Sequence, residues 1–106
     1  MQTIVQITCT KGSSMRDLIA NDSKLDNYNF NVQSEKKQGR SPGWASIRST
    51  EHQGTLKIQW NASTYFLICR VINKGKGRPD QIIGAFIGYI LKRHKKRVKL
   101  ITILPD

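Results

Sequence analysis

The residues of this chain best suited to chemistry are its lysines and arginines, because they cluster in two short segments. In residues 74–78, Lys74, Lys76 and Arg78 alternate with glycine. Residues 92–99 hold six basic residues within eight positions, namely Lys92, Arg93, Lys95, Lys96, Arg97 and Lys99. The chain has 106 residues and a formal net charge of +11, nearly all of it after residue 52. Such an excess costs self-repulsion, so a polyanionic partner is its natural explanation.

Each basic segment has a second interpretation. Residues 92–99 extend past the end of a predicted helix, where two or three cations favour the helix dipole without any ligand. The other cations exceed that requirement, so we predict phosphate contacts by Lys92, Arg93, Lys95, Lys96 and Arg97. The glycines of residues 74–78 would let a phosphate approach the backbone at a helix start, which predicts contacts by Lys74, Lys76 and Arg78. A flexible, solubilising connection explains that segment equally well, and it lacks the Walker pattern of nucleotide hydrolysis.

A tryptophan near further cations suggests a contact with unpaired bases. Trp44 follows a Pro-Gly turn that begins at Arg40, and its ring would stack on a base while Arg40 steers the phosphates. The alternative is that Trp44 packs in the core, as we expect for Trp60. Four aromatic residues on neighbouring predicted strands would extend the stacking platform: Tyr28, Phe30, Tyr65 and Phe66.

Two glycines and one acidic pattern define competing functions. Gly84 and Gly88 lie four apart on the exposed side of the predicted helix, where they would permit close approach of a second helix in a homodimer or of a nucleic-acid backbone. Asp26 followed by Glu35 and Lys37 is similar to the acid and Glu-x-Lys pattern with which metal-dependent nucleases hold Mg²⁺. No Cys/His spacing fits a zinc site, so we predict no cofactor and favour a protein that is not an enzyme.

Hydrophobic periodicity predicts one α+β domain spanning residues 1–106. Alternation predicts strands over residues 3–10, 28–33, 44–49, 55–60, 65–72 and 100–104, with a short helix after Ser13 or Ser14. The strand over residues 65–72 is apolar on both faces, which predicts a central strand covered on both sides. Pro79 and Asp80 begin a long amphipathic helix. The expected architecture is a mainly antiparallel sheet with one long C-terminal helix packed on it, a ββββα core plus flanking strands.

Cysteine usage and hydropathy predict a cytoplasmic location. Cys9 and Cys69 lie among apolar neighbours and are expected to be buried thiols, although a disulfide remains open. The first residues do not form a signal peptide. The longest apolar run, Ile82–Leu91, is about half the ~20 residues that a membrane span needs.

Residues 28–97, with the segment Gln38-Gly39-Arg40 followed by a strand, resemble the repeat unit of the PUR and Whirly single-strand-binding families. This resemblance is one of element order and carries over no individual site residue. It implies a curved sheet whose basic and aromatic residues hold unpaired DNA or RNA, and it implies that a lone unit forms a homodimer. The strand and short helix before residue 28, and the closing strand, depart from that repeat.

We therefore expect a non-enzymatic protein that binds nucleic acid, single-stranded or structured, since no helix-turn-helix, zinc-finger or basic-zipper signature is present. The main alternative is a homodimeric interaction or assembly module with an acidic partner. A membrane-surface domain is less favoured, because the sheet needs the apolar side of the helix. A metal-dependent nuclease is the remote alternative.

Overall fold

The computed structural model describes residues 3–36, 44–52, 54–72 and 79–104. These residues form β1 (Thr3–Cys9), α1 (Met15–Ala20), β2 (Phe30–Lys36), β3 (Trp44–Ser49), β4 (Thr55–Asn61), β5 (Phe66–Ile72), α2 (Pro79–Arg93) and β6 (Val98–Leu104). Short 3-10 helices, Leu25–Tyr28 and Lys95–Arg97, precede β2 and β6. The predicted α+β class with one long helix is confirmed.

The described strands form one antiparallel sheet in the order β2-β3-β4-β5-β1-β6. β2 to β5 follow one another as a meander, with Trp60 opposite Leu67 near the β4–β5 turn. β1 then inserts between β5 and β6, so that β2 and β6 are the edge strands of this sheet. The N-terminal strand therefore holds the last strand of the chain in place.

Both helices pack on the same face of the sheet. In the strands this face carries alternate apolar residues, such as Ile7, Ile58 and Leu67, which are fully buried. Ser14 caps α1 by accepting a hydrogen bond from the backbone N–H of Asp17 at 3.2 Å, as predicted. α2 contributes residues spaced three and four apart to the core: Ile82, Ile83, Phe86, Tyr89 and Ile90.

The opposite face of the sheet, called here the open face, has no buried side chain among the residues that the structure describes. β5 is central, as predicted, but the prediction that it is covered on both sides is wrong. Phe66, Ile68 and Ile72 lie on its open side and are only partly buried. The reason is that α1 and α2 lie together on the other face, so neighbouring strand residues alone shield these side chains.

The strand predicted from residue 28 begins two residues later. Tyr28 ends a 3-10 helix, and Asn29 adopts the left-handed conformation with φ 67°, which interrupts extended backbone before Phe30. Phe30 is buried in the core, and the ring of Tyr28 packs edge-on against Tyr89 with centroids 5.2 Å apart. Tyr65 lies against Trp60 with centroids 6.2 Å apart. Of the four aromatic residues expected to extend the stacking platform, Phe66 is the one on the open face.

Both cysteines are free and buried, as expected. Burial raises the pKa of the Cys69 thiol and, against an opposing effect of Arg97, that of the Cys9 thiol. Neither described helix has the length and the apolar character that a membrane crossing requires.

Candidate nucleic-acid interface

Three cations lie next to one another on the open face; they are called here the sheet-face cations, Arg48, Lys57 and Arg70. Lys57 of β4 is directly opposite Arg70 of β5. Arg48 of β3 is opposite Thr55, two residues before Lys57, and is therefore the diagonal neighbour of Lys57. Directly opposed side chains have Cβ atoms about 5 Å apart, and like charges at that separation destabilise a sheet. No Asp or Glu occupies an open-face position among the strand residues whose side chains are described. Among the described strand side chains, the open face therefore carries positive charge and no acid.

Trp44 lies beside these cations at the start of β3. Its side chain is on the open face and partly exposed, and the Lys57 ammonium lies 4.6 Å from the centroid of its ring. This cation–π contact holds an ammonium group next to an aromatic plane. An aromatic plane beside a cation can stack on a base while the cation contacts a phosphate. Trp60, in contrast, is 7% exposed and belongs to the core, as predicted.

An open hollow of about 490 Å³ adjoins the sheet-face cations at the β3–β4 turn. Arg48, Thr55 and Ile72 line its side toward the sheet, and Glu51 and His52 line its side toward the turn. The Glu51 carboxylate accepts a hydrogen bond from the Asn29 side-chain amide at 2.9 Å, which holds this turn against β2. The hollow offers both donors and acceptors next to the basic part of the face.

Three predicted contact residues, called here the helix-end lysines, remain exposed around the end of α2: Lys92, Lys95 and Lys96. None of them has a protein partner in the described part of the chain. Lys92 is in the last turn of α2, and the other two are in the following 3-10 helix. These lysines are available to an anion, but they belong to the helix layer and not to the open face.

Arg93, also predicted as a phosphate contact, is engaged within the protein. Its Nε and Nη2 donate to the two carboxylate oxygens of Asp22 at 3.2 and 3.0 Å. Tyr89 Oη also donates to Asp22 at 2.7 Å, and the Asp22 side chain is only 4% exposed. Burial alone would raise the pKa of the Asp22 carboxyl, but the hydrogen bonds from Arg93, the Lys24 backbone N–H and Tyr89 hold that pKa well below its usual range. This ion pair joins α2 to the segment after α1.

Arg97 is engaged as well. Its Nε donates to Thr10 Oγ1 at 3.0 Å, and its Nη2 donates to the carbonyl oxygens of Thr10 and Ser13 at 3.1 and 2.9 Å. A Cβ on Gly12 would come within 3.1 Å of the guanidinium, so only glycine leaves full room for it. Arg97 therefore joins the segment before β6 to the loop after β1.

His94 also contacts Tyr89, and the four side chains are called here the Asp22 cluster: Asp22, Tyr89, Arg93 and His94. The Nε2 of His94 lies 2.9 Å from Tyr89 Oη. The ionised Asp22 carboxylate can only accept, so the single hydroxyl proton of Tyr89 goes to Asp22. The neutral His94 must then carry its proton on Nε2 and donate it to the Tyr89 oxygen. Burial lowers the pKa of His94, and Arg93 and Arg97 lower it further, against the opposing effect of Asp22.

We expect the free energy of unfolding to fall as the pH decreases from about 7 to about 5. The folded pKa of His94 lies below its unfolded value of ~6.5, so protons bind the unfolded chain first. The slope is at most about 1.4 kcal/mol per pH unit for one group. Urea unfolding at several pH values measures this slope of unfolding free energy against pH, and the slope should disappear in His94→Gln. The matched control is His52→Gln in the β3–β4 turn, after which the slope should persist; an unchanged slope in His94→Gln would contradict the assignment.

Four of the predicted contact residues, Arg40, Lys74, Lys76 and Arg78, lie outside the described residues. The described residues that flank residues 73–78 are Ile72, the last residue of β5, and Pro79, the first residue of α2. The helix-end lysines are at the other end of α2. The 15 residues of α2 span about 22 Å, so the two ends of this helix are well separated.

The nuclease alternative stays a hypothesis, since Asp26 is the one of its three residues whose side chain is described. Asp26 is exposed in the first 3-10 helix. Glu35 is in β2, where the structure describes its backbone only, and Lys37 is not among the described residues. The described part of the chain contains no group of three or more His, Cys, Asp or Glu residues that could hold a metal ion. Gly84 and Gly88 are exposed on α2, and a Cβ on either would meet nothing within 4 Å.

No family model, curated protein or solved structure matches this chain. The resemblance to PUR and Whirly repeats therefore stays a prediction. Sequence reasoning missed the sheet-face cations because they are scattered in sequence. A signal was present: Lys57 alternates with the buried Leu56 and Ile58 in β4, which assigns it to the other side of the strand.

Proposed function

We propose that this chain is a non-enzymatic protein that binds single-stranded nucleic acid on the open face of its sheet. The observation that supports this proposal most strongly is the direct opposition of Lys57 and Arg70, with Arg48 diagonal to them and no acid on that face of the described strands. An uncompensated like-charge pair destabilises the free protein, and a phosphate backbone would relieve that repulsion.

The aromatic residues favour unpaired over paired strands. Trp44 and Phe66 both present partly exposed rings on the open face. Bases in a duplex are stacked on each other, whereas unpaired bases can stack on protein side chains. The six strands, about 4.8 Å apart, form a face roughly 24 Å wide. A face of this width is too broad to enter the major groove of a duplex, which is about 12 Å wide, but it can hold a few nucleotides of an extended single strand.

The helix-end lysines have a supporting role in this proposal. They lie in the helix layer, so a short oligonucleotide on the open face would not touch all of them directly. Their positive field would still attract a polyanion and raise its association rate. We assign base and phosphate contacts to Trp44 and the sheet-face cations, and long-range attraction or contacts with a longer strand to Lys92, Lys95 and Lys96.

We expect Trp44→Ala to weaken binding of a single strand about tenfold, since one stacked base contributes about 1–3 kcal/mol. The measurement is fluorescence anisotropy of labelled oligothymidine, oligouridine and duplex DNA of about 12 nucleotides, over a salt series. The wild-type chain should bind the single strands more tightly than the duplex, with log affinity falling linearly with log salt. Trp44→Phe, which keeps an aromatic plane, is the matched control and should stay close to wild type.

Two outcomes would count against the proposal. Equal affinities for Trp44→Ala and wild type would remove the ring from the contact. An absence of binding to any of the three ligands at moderate salt would reject nucleic acid as the partner and favour an acidic protein instead.

A further inference from the structure

The edge strand β6 is apolar and exposed along most of its length. Leu100, Ile103 and Leu104 are 60%, 45% and 52% exposed, and they make up most of the exposed large hydrophobic side chains of the described residues. Leu100 and Leu104 are on the open face, opposite Thr8 and Ile4 of β1, whereas Ile103 is on the helix side, opposite Val5. β6 pairs with β1 on one side, and no described strand pairs with it on the other.

The other edge strand, β2, shows the usual protection against pairing. Its register against β3 shifts between Val32 and Ser34, and its sequence contains polar and charged residues, including Glu35 and Lys36. Bulges and charges of this kind discourage a second strand from adding to an edge. In β6 the register shift lies near Cys9 at the start of the pairing, so the segment Leu100–Leu104 is regular and contains no charged residue.

β6 is also self-complementary. In an antiparallel pair of two copies centred on Thr102, Leu100 of each copy would lie opposite Leu104 of the other, and Ile101 opposite Ile103. Directly opposed apolar side chains stabilise a sheet. Because all of these pairs join residues of the same face, the open faces of the two copies would continue into each other.

The charges around β6 favour the same antiparallel arrangement. Lys95 and Lys96 are in the 3-10 helix immediately before β6, and Lys99 is the second residue of β6. Antiparallel pairing puts the basic start of one strand beside the end of the other, and it keeps the two basic starts about 24 Å apart.

We propose that two copies of this chain associate through their β6 edges and form a continuous twelve-stranded sheet. The pairing is isologous, so it closes at a dimer and does not continue into a fibre. One seven-residue strand and three large side chains per copy bury less than the roughly 1,200 Å² of a standard interface, so the dissociation constant is expected in the micromolar range. Both sets of sheet-face cations would then lie on one surface, with the two Arg70 positions about 28 Å apart.

This interface differs from one through Gly84 and Gly88. α2 packs over β5, and pairing through β6 would separate the two α2 helices by more than about 20 Å. Packed helices lie about 8–10 Å apart. One dimer therefore cannot contain both interfaces, and variants on each surface distinguish them.

The test is sedimentation equilibrium of the full chain without nucleic acid, so its result does not depend on the proposed function. Protein from about 1 to about 300 µM is examined at about 0.3 M salt, where self-repulsion is screened. The wild-type chain should dimerise as its concentration rises, and Ile103→Glu and Leu100→Glu should each weaken the dimer at least tenfold. Leu18→Glu, which adds the same charge to a 38% exposed position on α1, and Gly88→Arg should both leave it intact.

A cross-link provides a second readout that does not depend on placing a charge in β6. Both native cysteines are buried, so Thr102→Cys introduces an accessible thiol at the proposed two-fold axis, and mild oxidation should give a disulfide-linked dimer. A wild-type chain that is monomeric at the highest concentration would overturn the proposal. A dimer that survives both β6 variants but is lost in Gly88→Arg would also overturn it, in favour of the helix surface.

Discussion

A variant in which Arg48, Lys57 and Arg70 are all replaced by glutamine is expected to bind single-stranded nucleic acid about 100-fold more weakly at about 0.1 M salt. Each phosphate neutralised on a single strand contributes about −0.7 to the slope of log affinity against log salt. Losing three contacts should therefore flatten that slope by about 2, which corresponds to about two orders of magnitude at this salt concentration. Anisotropy titration over the salt series measures both quantities.

The matched control replaces the helix-end lysines, Lys92, Lys95 and Lys96, by glutamine. Both triple variants lose the same three charges from a chain of +11, so an effect of net charge alone would be equal in the two. We expect less than a tenfold loss in the control, because these lysines attract the strand without holding it. Equal losses would show that only total charge matters, and a larger loss in the control would move the interface to the end of α2.

Asp22→Ala is expected to lower the free energy of unfolding by about 3 kcal/mol and the melting temperature by roughly 12 °C. The substitution removes the acceptor for Tyr89 Oη, for two nitrogens of Arg93 and for the backbone N–H of Lys24. It leaves the partly buried hydroxyl of Tyr89 without its acceptor, which costs more than the hydrogen bond itself contributes. Urea and thermal unfolding measure the change.

Asp26→Ala is the control for this change, because it removes an acid of the same charge from an exposed position four residues later. We expect it to alter the free energy of unfolding by less than about 0.5 kcal/mol. The pH dependence provides a further check. The pKa of Asp22 is lowered on folding, so its contribution is complete above the unfolded value of ~3.9 and is lost as the pH falls below it. A loss in Asp22→Ala no greater than in Asp26→Ala would show that the cluster is not a stabilising link.

The strands and helices could be predicted because their signals are local. Leu56, Ile58 and Trp60 alternate with polar residues, and all three are buried on one face of β4. Pro79 begins α2 as expected, and Ile83, Phe86 and Ile90 lie on its buried side. These patterns reflect the two- and 3.6-residue periods of the backbone, which the sequence carries directly.

The candidate interface and the Asp22 cluster could not be predicted, because both depend on contacts between distant parts of the chain. Lys57 and Arg70 become neighbours only through the register of β4 and β5. Asp22 meets Tyr89 and Arg93 across 67 and 71 positions. The basic run at residues 92–99 therefore appeared as one anion site, whereas the folded chain uses Arg93 and Arg97 in internal links and leaves lysines exposed.

The position of β1 has a consequence for how this chain can fold. β1 is the first strand in sequence, yet it pairs with β5 and β6, whose partner residues lie about 60 to 100 positions away. Closing such long loops is slow, because their entropy is lost before the new contacts compensate for it. On the ribosome, the meander from β2 to β5 can assemble while synthesis continues, whereas β6 has nothing to pair with unless β1 is already seated beside β5. β6 is therefore the strand that joins the sheet last, after β1 has paired with β5.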